Sequence, residues 1–569
     1  MHSIQDSTVP VQQPIGIDQH GRHERSHVTS RLKEPPAQTS DPRAVLGRVL
    51  LLISLITGAI SHGYHLFLYP LYITDEGIYV QQAWSVLREG RLSPYTYFYD
   101  HAPAGWLAIA GWVSVLPYQF QTFGNAVNTG RVLMLLVHVG STFFLFQSTR
   151  RLSGSLIAAV VASFLFNLSP LAIFYQRQVL LDNLMVFWLL LSLYLATSDD
   201  RRILTPLLSG LALGISVVTK ENAIFFVPVI GYLLYNQVRQ RHNYRFALGF
   251  WLFTSGAIIS LYFFYAVLKD ELVPSHLNFN LNQPPVDHVA LLYTIWQQLH
   301  RSQGSMLDPH SLFWTFSLDA WLPKDTFLLA GGMVATLLNL VQGLRDRKRH
   351  RGQLVVALLA TSYAFYLMRG SVMLEFYVVP LVPFLALNIG LLVARILHLV
   401  PGRRWLFVLS AFVQSLMLVC FFTVLLLPTG GYLLVRDEFG KVVPHDLYKL
   451  PLTPLQEQQL AFIRAHIPPT ARIIMDEDLW VQLHDVRPYY PLAHSHWKAA
   501  SDPAVRDKLF ARNWQNIDYI VLSNKMLSAM QQNNGDGSEN YILEALQHAR
   551  PIWQLTHGGI SLAIYQVQK

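Results

Sequence analysis

The stretch VLGRVLLLISLITGAISHGYHLFLY, from Val45 to Tyr69, carries one formal charge, Arg48. It is long enough to cross roughly 30 Å of hydrocarbon, which takes a helix of about 20 residues. In lipid a helix satisfies every backbone polar group within one segment. The same reading holds for Trp405–Leu427. Between these two, further apolar runs lie near 128–148, 154–173, 179–197, 204–219, 222–236, 246–268, 326–343, 353–369 and 374–397. With the outer two, at 45–68 and 405–427, they give roughly eleven spans.

Basic residues gather in alternate connections: Arg150 and Arg151, Arg201 and Arg202, Arg239, Arg241 and Arg245, the run from Arg345 to Arg351, and Arg403 with Arg404. Cytoplasmic loops carry the excess of Lys and Arg, so these connections and the N-terminus read as cytoplasmic. The opposite connections, 69–127, 174–178, 220–221, 269–325 and 370–373, read as exterior. An odd number of spans then leaves the C-terminal region outside.

Composition agrees. Of 569 residues, 52% are hydrophobic and 14% charged, against about a quarter charged in a soluble domain. The net charge of +8 lies in short clusters between apolar runs, which marks topology and gives no nucleic-acid partner. One cysteine, Cys420, sits in an apolar run; it excludes an internal disulfide and a Cys-based zinc site, and reads as packing. Met1 to Pro42 is polar without an apolar core, as expected of a disordered cytoplasmic tail. From about Gly430 the sequence turns soluble. Strand-like runs at Arg472–Met475 and Tyr519–Leu522 alternate with helical stretches at Pro454–His466, with Thr453 as a cap, and at Pro503–Arg512 after Asp502. His494 and His496 would share one side of a strand but read as loop or surface histidines.

The expected fold class is therefore mainly α: a polytopic membrane protein with interfacial helices in its first external loop and a small C-terminal α/β extracytoplasmic domain. The expected organisation is a tail at 1–42, a transmembrane domain at 43–428 and the external domain at 429–569.

Chemistry-bearing residues concentrate at the exterior junctions. The first external loop holds Asp75 and Glu76, then an amphipathic stretch from Ile78 to Leu87, then Asp100 and His101. Tyr79, Ala83, Val86 and Leu87 share one side of that stretch, which fits a helix lying in the membrane interface. Asp75 and Glu76 equally fit a plain helix start, where carboxylates favour the dipole, and Asp100 a turn before Pro103. Arg177 and Lys220 have the charge to bind a phosphate or diphosphate. They also read as a snorkelling arginine and, with Glu221, a solvated turn. Asp182 lies inside an apolar run, which points either to function or to a pair with Arg177. A carboxylate at the interface deprotonates an acceptor hydroxyl, and basic residues or a metal stabilise a departing phosphate.

The segments Asp75-Glu76-Gly77-Ile78-Tyr79, Tyr99-Asp100-His101-Ala102-Pro103, Ser169-Pro170, Tyr175–Asp182 and Thr219-Lys220-Glu221-Asn222 resemble, in residues and order, the glycosyltransferase C superfamily. The likeness is to bacterial relatives of protein O-mannosyltransferases and of the lipid A aminoarabinose transferase, over about residues 45 to 240. It implies a hexosyl- or pentosyltransferase of a bacterial plasma membrane that uses a polyprenyl-phosphate-linked sugar. The acceptor would be a lipid, glycan or protein. Asp75 would be the general base, and Glu76 a neighbour that orients it or helps bind a metal. Asp100 and His101 would line the cavity, and Arg177 and Lys220 would contact the donor phosphate. No cofactor is assigned; a divalent metal is compatible with the family. Where the family commonly has two prolines after its second acidic motif, Ala102-Pro103-Ala104 keeps one. The segment from Lys269 to Asp325, with Pro284-Pro285 and a helical stretch at Val289–His300, would cover the cavity. A ligase or polymerase acting on a diphosphate carrier uses similar groups. A flippase would instead place ionisable residues in mid-span.

Overall fold

A computed structural model of the chain describes residues 42–200, 202–274, 289–300, 304–369, 373–398, 412, 415–416, 419, 452–533, 537–557 and 560–569. The N-terminal tail, Pro284-Pro285, Cys420 and most of the run at 405–427 lie outside the described residues, as does the boundary expected near 428.

The helices are α1 (Pro42–Gly63), α2 (Thr74–Glu89), α3 (Ala104–Ser114), α4 (Ala126–Ser153), α5 (Leu156–Leu168), α6 (Pro170–Tyr175), α7 (Leu181–Ala196), α8 (Leu204–Thr219), α9 (Val227–Val238), α10 (Tyr244–Leu268) and α11 (Leu291–His300). Two short pieces, α12 (Leu312–Thr315) and α13 (Leu322–Lys324), precede α14 (Gly332–Arg345), α15 (Arg351–Met368) and α16 (Val382–His398). Among the described residues, five helical stretches are long and apolar enough to cross a membrane: Ala44–Gly63, Ala126–Ser153, Tyr244–Leu268, Phe327–Arg345 and Glu375–Leu397. The chain is an integral membrane protein.

Several expected spans are shorter or broken, for local reasons. The run at 154–173 stops at Ser169-Pro170, where proline lacks the N–H that would continue the helix. The Ser169 hydroxyl accepts from the Ala172 amide and starts α6. Similarly, 222–236 begins as a 3-10 turn over Glu221–Phe226 before α9. In lipid, helices associate by close packing, and Gly210 on α8 shows it: a Cβ there would lie 2.4 Å from the Trp251 carbonyl oxygen on α10.

The C-terminal portion is a mixed five-stranded sheet in the order β2-β1-β3-β5-β4, with strands β1 (Ile473–Met475), β2 (Ala493–Ser495), β3 (Tyr519–Ser523), β4 (Ala549–His557) and β5 (Ile560–Val567). β1 pairs in parallel with β2 and β3, whereas β5 runs antiparallel to β3 and β4. Around it pack α17 (Thr453–His466), α18 (Trp480–Asp485), α19 (His496–Ser501), α20 (Asn524–Asn533) and α21 (Asn540–Gln547). Thr453 does not cap α17 through its side chain; its hydroxyl donates to the Phe67 carbonyl instead. The stretch expected as a helix after Asp502 is a single wide turn over Ala504–Leu509.

The connection at 69–127 departs most from expectation. Instead of resting one face on lipid, α2 is buried at Gly77, Tyr79, Val80, Gln81, Gln82, Ala83 and Ser85, on both sides of the helix. The C-terminal sheet domain covers what was expected to be its wet side. Trp84 Nε1 and the Arg88 guanidinium both donate to Asp485, at 2.9 and 2.8 Å. The loop also forms a second, largely apolar helix, α3, half of which is buried.

Candidate active site

In the Asp75-Glu76-Gly77 segment at the start of α2, each residue has a different task. Glu76 is fully buried and receives both Nε (2.8 Å) and Nη2 (2.7 Å) of Arg131 on α4. Its oxygens also accept from the backbone amides of Ile73 (3.3 Å) and Val179 (2.9 Å). Both oxygens are thus committed, and Glu76 ties α2 to α4 and to the entrance of α7. Gly77 meets the sheet domain. A Cβ there would lie 2.4 Å from the Glu477 carbonyl carbon and oxygen, so a side chain has no room. Beside this contact the Thr74 hydroxyl donates to Asp476 at 2.8 Å.

Asp75 is less committed. It is half-buried and accepts a 3.3 Å hydrogen bond from the Tyr79 hydroxyl one turn on. Burial pushes its carboxyl above the usual range, opposed by the nearby charges of Lys220 and His101. Lys220, at the end of α8, donates to Asp182 in the first turn of α7 at 2.5 Å, both side chains being almost fully buried. Its ammonium also faces the Tyr377 and Phe376 rings at 4.3 and 4.9 Å. The other Asp182 oxygen is buried without a hydrogen-bond partner among the described residues. The alternative pairing of Asp182 with Arg177 is therefore corrected: Lys220, remote in sequence, takes that place.

Glu221, next to Lys220, bonds His101 Nδ1 at 3.2 Å and accepts from the Ala102 amide. Burial pulls the His101 imidazole down, but the hydrogen bond and charge of Glu221 outweigh it and hold the imidazole above its ordinary value. The loop carrying Asp100 and His101 is under backbone strain: Tyr99 sits at φ 57, a left-handed conformation that L side chains rarely adopt. The Tyr262 hydroxyl donates to its carbonyl at 3.1 Å, and its own hydroxyl donates to Glu271 at 2.6 Å. Asp100 is half-buried. Opposite this loop stands Lys498 of the sheet domain, packed on the Trp497 and Phe98 rings at 3.8 and 4.2 Å. Burial lowers its ammonium to about 8, against the attraction of Asp100, Asp502 and Glu477.

The structure brings Asp75, Asp182, Lys220, Glu221, Asp100 and His101 into one neighbourhood and sets Arg177 apart. Arg177 is fully buried, with Nη1 3.3 Å from the Tyr69 carbonyl and Nη2 2.9 Å from that of Ser61 on α1. It neither snorkels nor pairs with Asp182; it fastens the end of α1 to the chain between α6 and α7. The two tail histidines are not surface groups either. His494 Nδ1 and the Tyr95 hydroxyl share a 2.8 Å hydrogen bond, Tyr95 also accepts from Trp480 Nε1, and burial lowers His494 to about 3. His496 is buried against Glu539 at 2.9 Å.

Sequence reasoning missed Arg131, Tyr377 and Lys498, and gave Tyr79 a place on the apolar face but not its hydrogen bond to Asp75. Only Arg131 left a clear signal, as an arginine within the apolar run that becomes α4. Among the described residues no three His, Cys, Asp or Glu side chains group closely enough to hold a metal ion. The arrangement offers a proton acceptor, Asp75, beside a buried cation, Lys220.

Residues 109–269 match the family model of dolichyl-phosphate-mannose-protein mannosyltransferase. That stretch contains Arg177, Asp182, Lys220 and Glu221 and ends short of Asp75 and His101. No curated protein sequence matches the chain. Among solved structures, the chain is similar to ArnT from Cupriavidus metallidurans bound to undecaprenyl phosphate, at 14% identity and TM-score 0.55, over 93% of this chain and 99% of that one. The same protein in the apo state aligns at 15% identity and TM-score 0.54, with the same coverage. The oligosaccharyltransferase of Archaeoglobus fulgidus in its apo form aligns at 13% identity and TM-score 0.50, over 92% of this chain and 74% of that one. The chain is thus similar over α4 to α10 to the dolichyl-phosphate-mannose-protein mannosyltransferase family, and it shares its fold along nearly its whole length with ArnT.

Proposed function

We propose that the protein is a membrane glycosyltransferase that moves a sugar from a polyprenyl-phosphate donor to an acceptor hydroxyl on the extracytoplasmic side. The observation that carries this reading is Asp75: a half-buried carboxylate with raised proton affinity, beside Lys220, at the start of a helix that Glu76 and Gly77 hold in place. That ArnT was solved with undecaprenyl phosphate supports the donor class.

In the proposed reaction the Asp75 carboxylate takes the proton of the acceptor hydroxyl as its oxygen bonds to the anomeric carbon. The bond from that carbon to the phosphate oxygen breaks, and the polyprenyl phosphate leaves with the electron pair. Lys220 has three N–H donors, one of them given to Asp182, and offers the others to the leaving phosphate. Glu221 and His101 position the Asp100 loop. Arg177, expected on the phosphate, acts here through the wall that it fastens.

The test is consumption of radiolabelled polyprenyl-phosphate hexoses and pentoses by purified protein in lipid, with a broad acceptor extract, comparing wild type with Asp75→Asn. Donor loss with wild type alone supports the reading. Equal turnover by both proteins removes Asp75 as the base, and a donor panel left intact by well-folded wild type overturns the monophosphate-donor class.

A further inference from the structure

At the other end of the bundle lies a cavity of about 740 Å³ lined by Arg151, Arg349, Arg351 and Arg395, with Asp199 the one acidic residue among the described residues that line it. α7 shows its distance from the candidate active site. Asp182 stands in its first turn, and Thr197, on the cavity wall, follows its last residue; at 1.5 Å per residue its 16 residues span about 24 Å. The cavity is therefore separate from the proposed chemistry.

Arginines at cytoplasmic helix ends are ordinary topology signals, but exposure in a loop suffices for that purpose. Here they converge on a concavity. Arg395 rises from α16, within an apolar run, and its Nη1 is buried with no hydrogen-bond partner among the described residues. Arg151 is held by the Tyr194 carbonyl at 2.6 Å and its ring at 4.0 Å, which fixes the direction of its guanidinium. The opposing charge is partly engaged, since Asp199 accepts from Gln237 at 2.7 Å. α15 begins at the same cavity without a side-chain cap, adding the positive end of a helix dipole. Four guanidinium groups facing one carboxylate call for an anion, and the planar donor forks of arginine match phosphate.

We infer that this cavity is a binding site for a phosphate-bearing anion, with the headgroup of an anionic phospholipid as its occupant. The position favours the lipid, because the walls are the ends of membrane helices, the level at which headgroups lie. A soluble phosphate has the same chemistry and is the other possible source.

The experiment is native mass spectrometry of the purified full chain, titrated in one arm with phosphatidylglycerol against phosphatidylcholine and in the other with inorganic pyrophosphate. Wild type is compared with Arg349→Gln at the exposed rim, Arg395→Gln on the wall, and Arg245→Gln as a basic residue outside the cavity. The inference expects retention of phosphatidylglycerol over phosphatidylcholine, weakened roughly fivefold by each cavity substitution and unchanged in Arg245→Gln. Pyrophosphate binding with the same arginine dependence, without lipid retention, keeps the site and assigns it a soluble ligand. Retention of either anion that ignores Arg349 and Arg395, or no retention by wild type in either arm, overturns the inference. Because the Arg349 side chain is exposed, its substitution tests the site without disturbing packing.

Discussion

Arg131 and Glu76 lie 55 positions apart in sequence and meet as a two-pronged ion pair from which solvent is wholly excluded. Removing one partner strands the other charge, which costs about 3–5 kcal/mol in a buried pair. Glu76→Gln and Arg131→Leu are each expected to lower the thermal unfolding midpoint in detergent sharply. The double variant should recover much of the loss; equal destabilisation by single and double variants would show that the pair is not the source.

For Asp75→Asn the expected outcome is different: an unchanged melting midpoint and a transfer rate lower by about 10²–10⁴-fold, the usual contribution of a general base. A base works deprotonated, and burial raises this carboxyl. The wild-type rate should therefore fall on acidification at a pH above the ordinary carboxylate range, with the lost limb marking the folded enzyme's pKa.

Lys220 and Arg177 separate by readout. Lys220→Ala should raise the apparent donor KM by about tenfold or more, the worth of a charged hydrogen bond. Because it also strands Asp182, Lys220→Met with Asp182→Asn is the companion variant: its fold should be restored while donor use stays poor. Arg177→Ala should mainly lower stability, leaving the donor KM of the surviving folded protein near wild type.

Gly77→Ala is expected to cost about 1–3 kcal/mol as overpacking and to loosen the sheet domain, read as faster proteolysis after residue 452. Gly249→Ala, on α10 with open space around it, is the control and should change neither property.

Lys498 gives a pH prediction with a definite sign. Its folded pKa of about 8 lies below the ordinary lysine value of 10.5. Between these values the unfolded chain binds more protons, so stability rises with pH across that window. Lys498→Met should stabilise the protein below pH 8 and remove that part of the slope. An identical slope in the variant would show that the lysine is not desolvated.

What could be read from sequence follows the range of the interactions. Apolar runs and the strands at Ile473 and Tyr519 are set by residues near one another, and were legible, whereas the break at Ser169-Pro170 inside the run at 154–173 was not read. Asp75 stands out in the sequence as a candidate because a carboxylate beside a long apolar run is conspicuous; its role as base is the proposal that Asp75→Asn tests. Glu76 was given a role beside Asp75 because its partner, Arg131, lies on another helix and no spacing rule connects them. α2 was expected to rest on lipid because its amphipathic pattern shows which side is apolar but not what covers the other side. Trp84, Arg88 and Gly77 are satisfied by a domain encoded hundreds of residues later.

That delay has a consequence for biosynthesis. Thr74 and its partner Asp476 are separated by 402 positions, and at the usual 5–20 residues per second of synthesis roughly 20–80 s pass between their emergence from the ribosome. Until then α2 lacks its outer cover. The sheet domain thus acts as a late fastener on α2, and a chain truncated before it would carry its proposed base in place but unsupported.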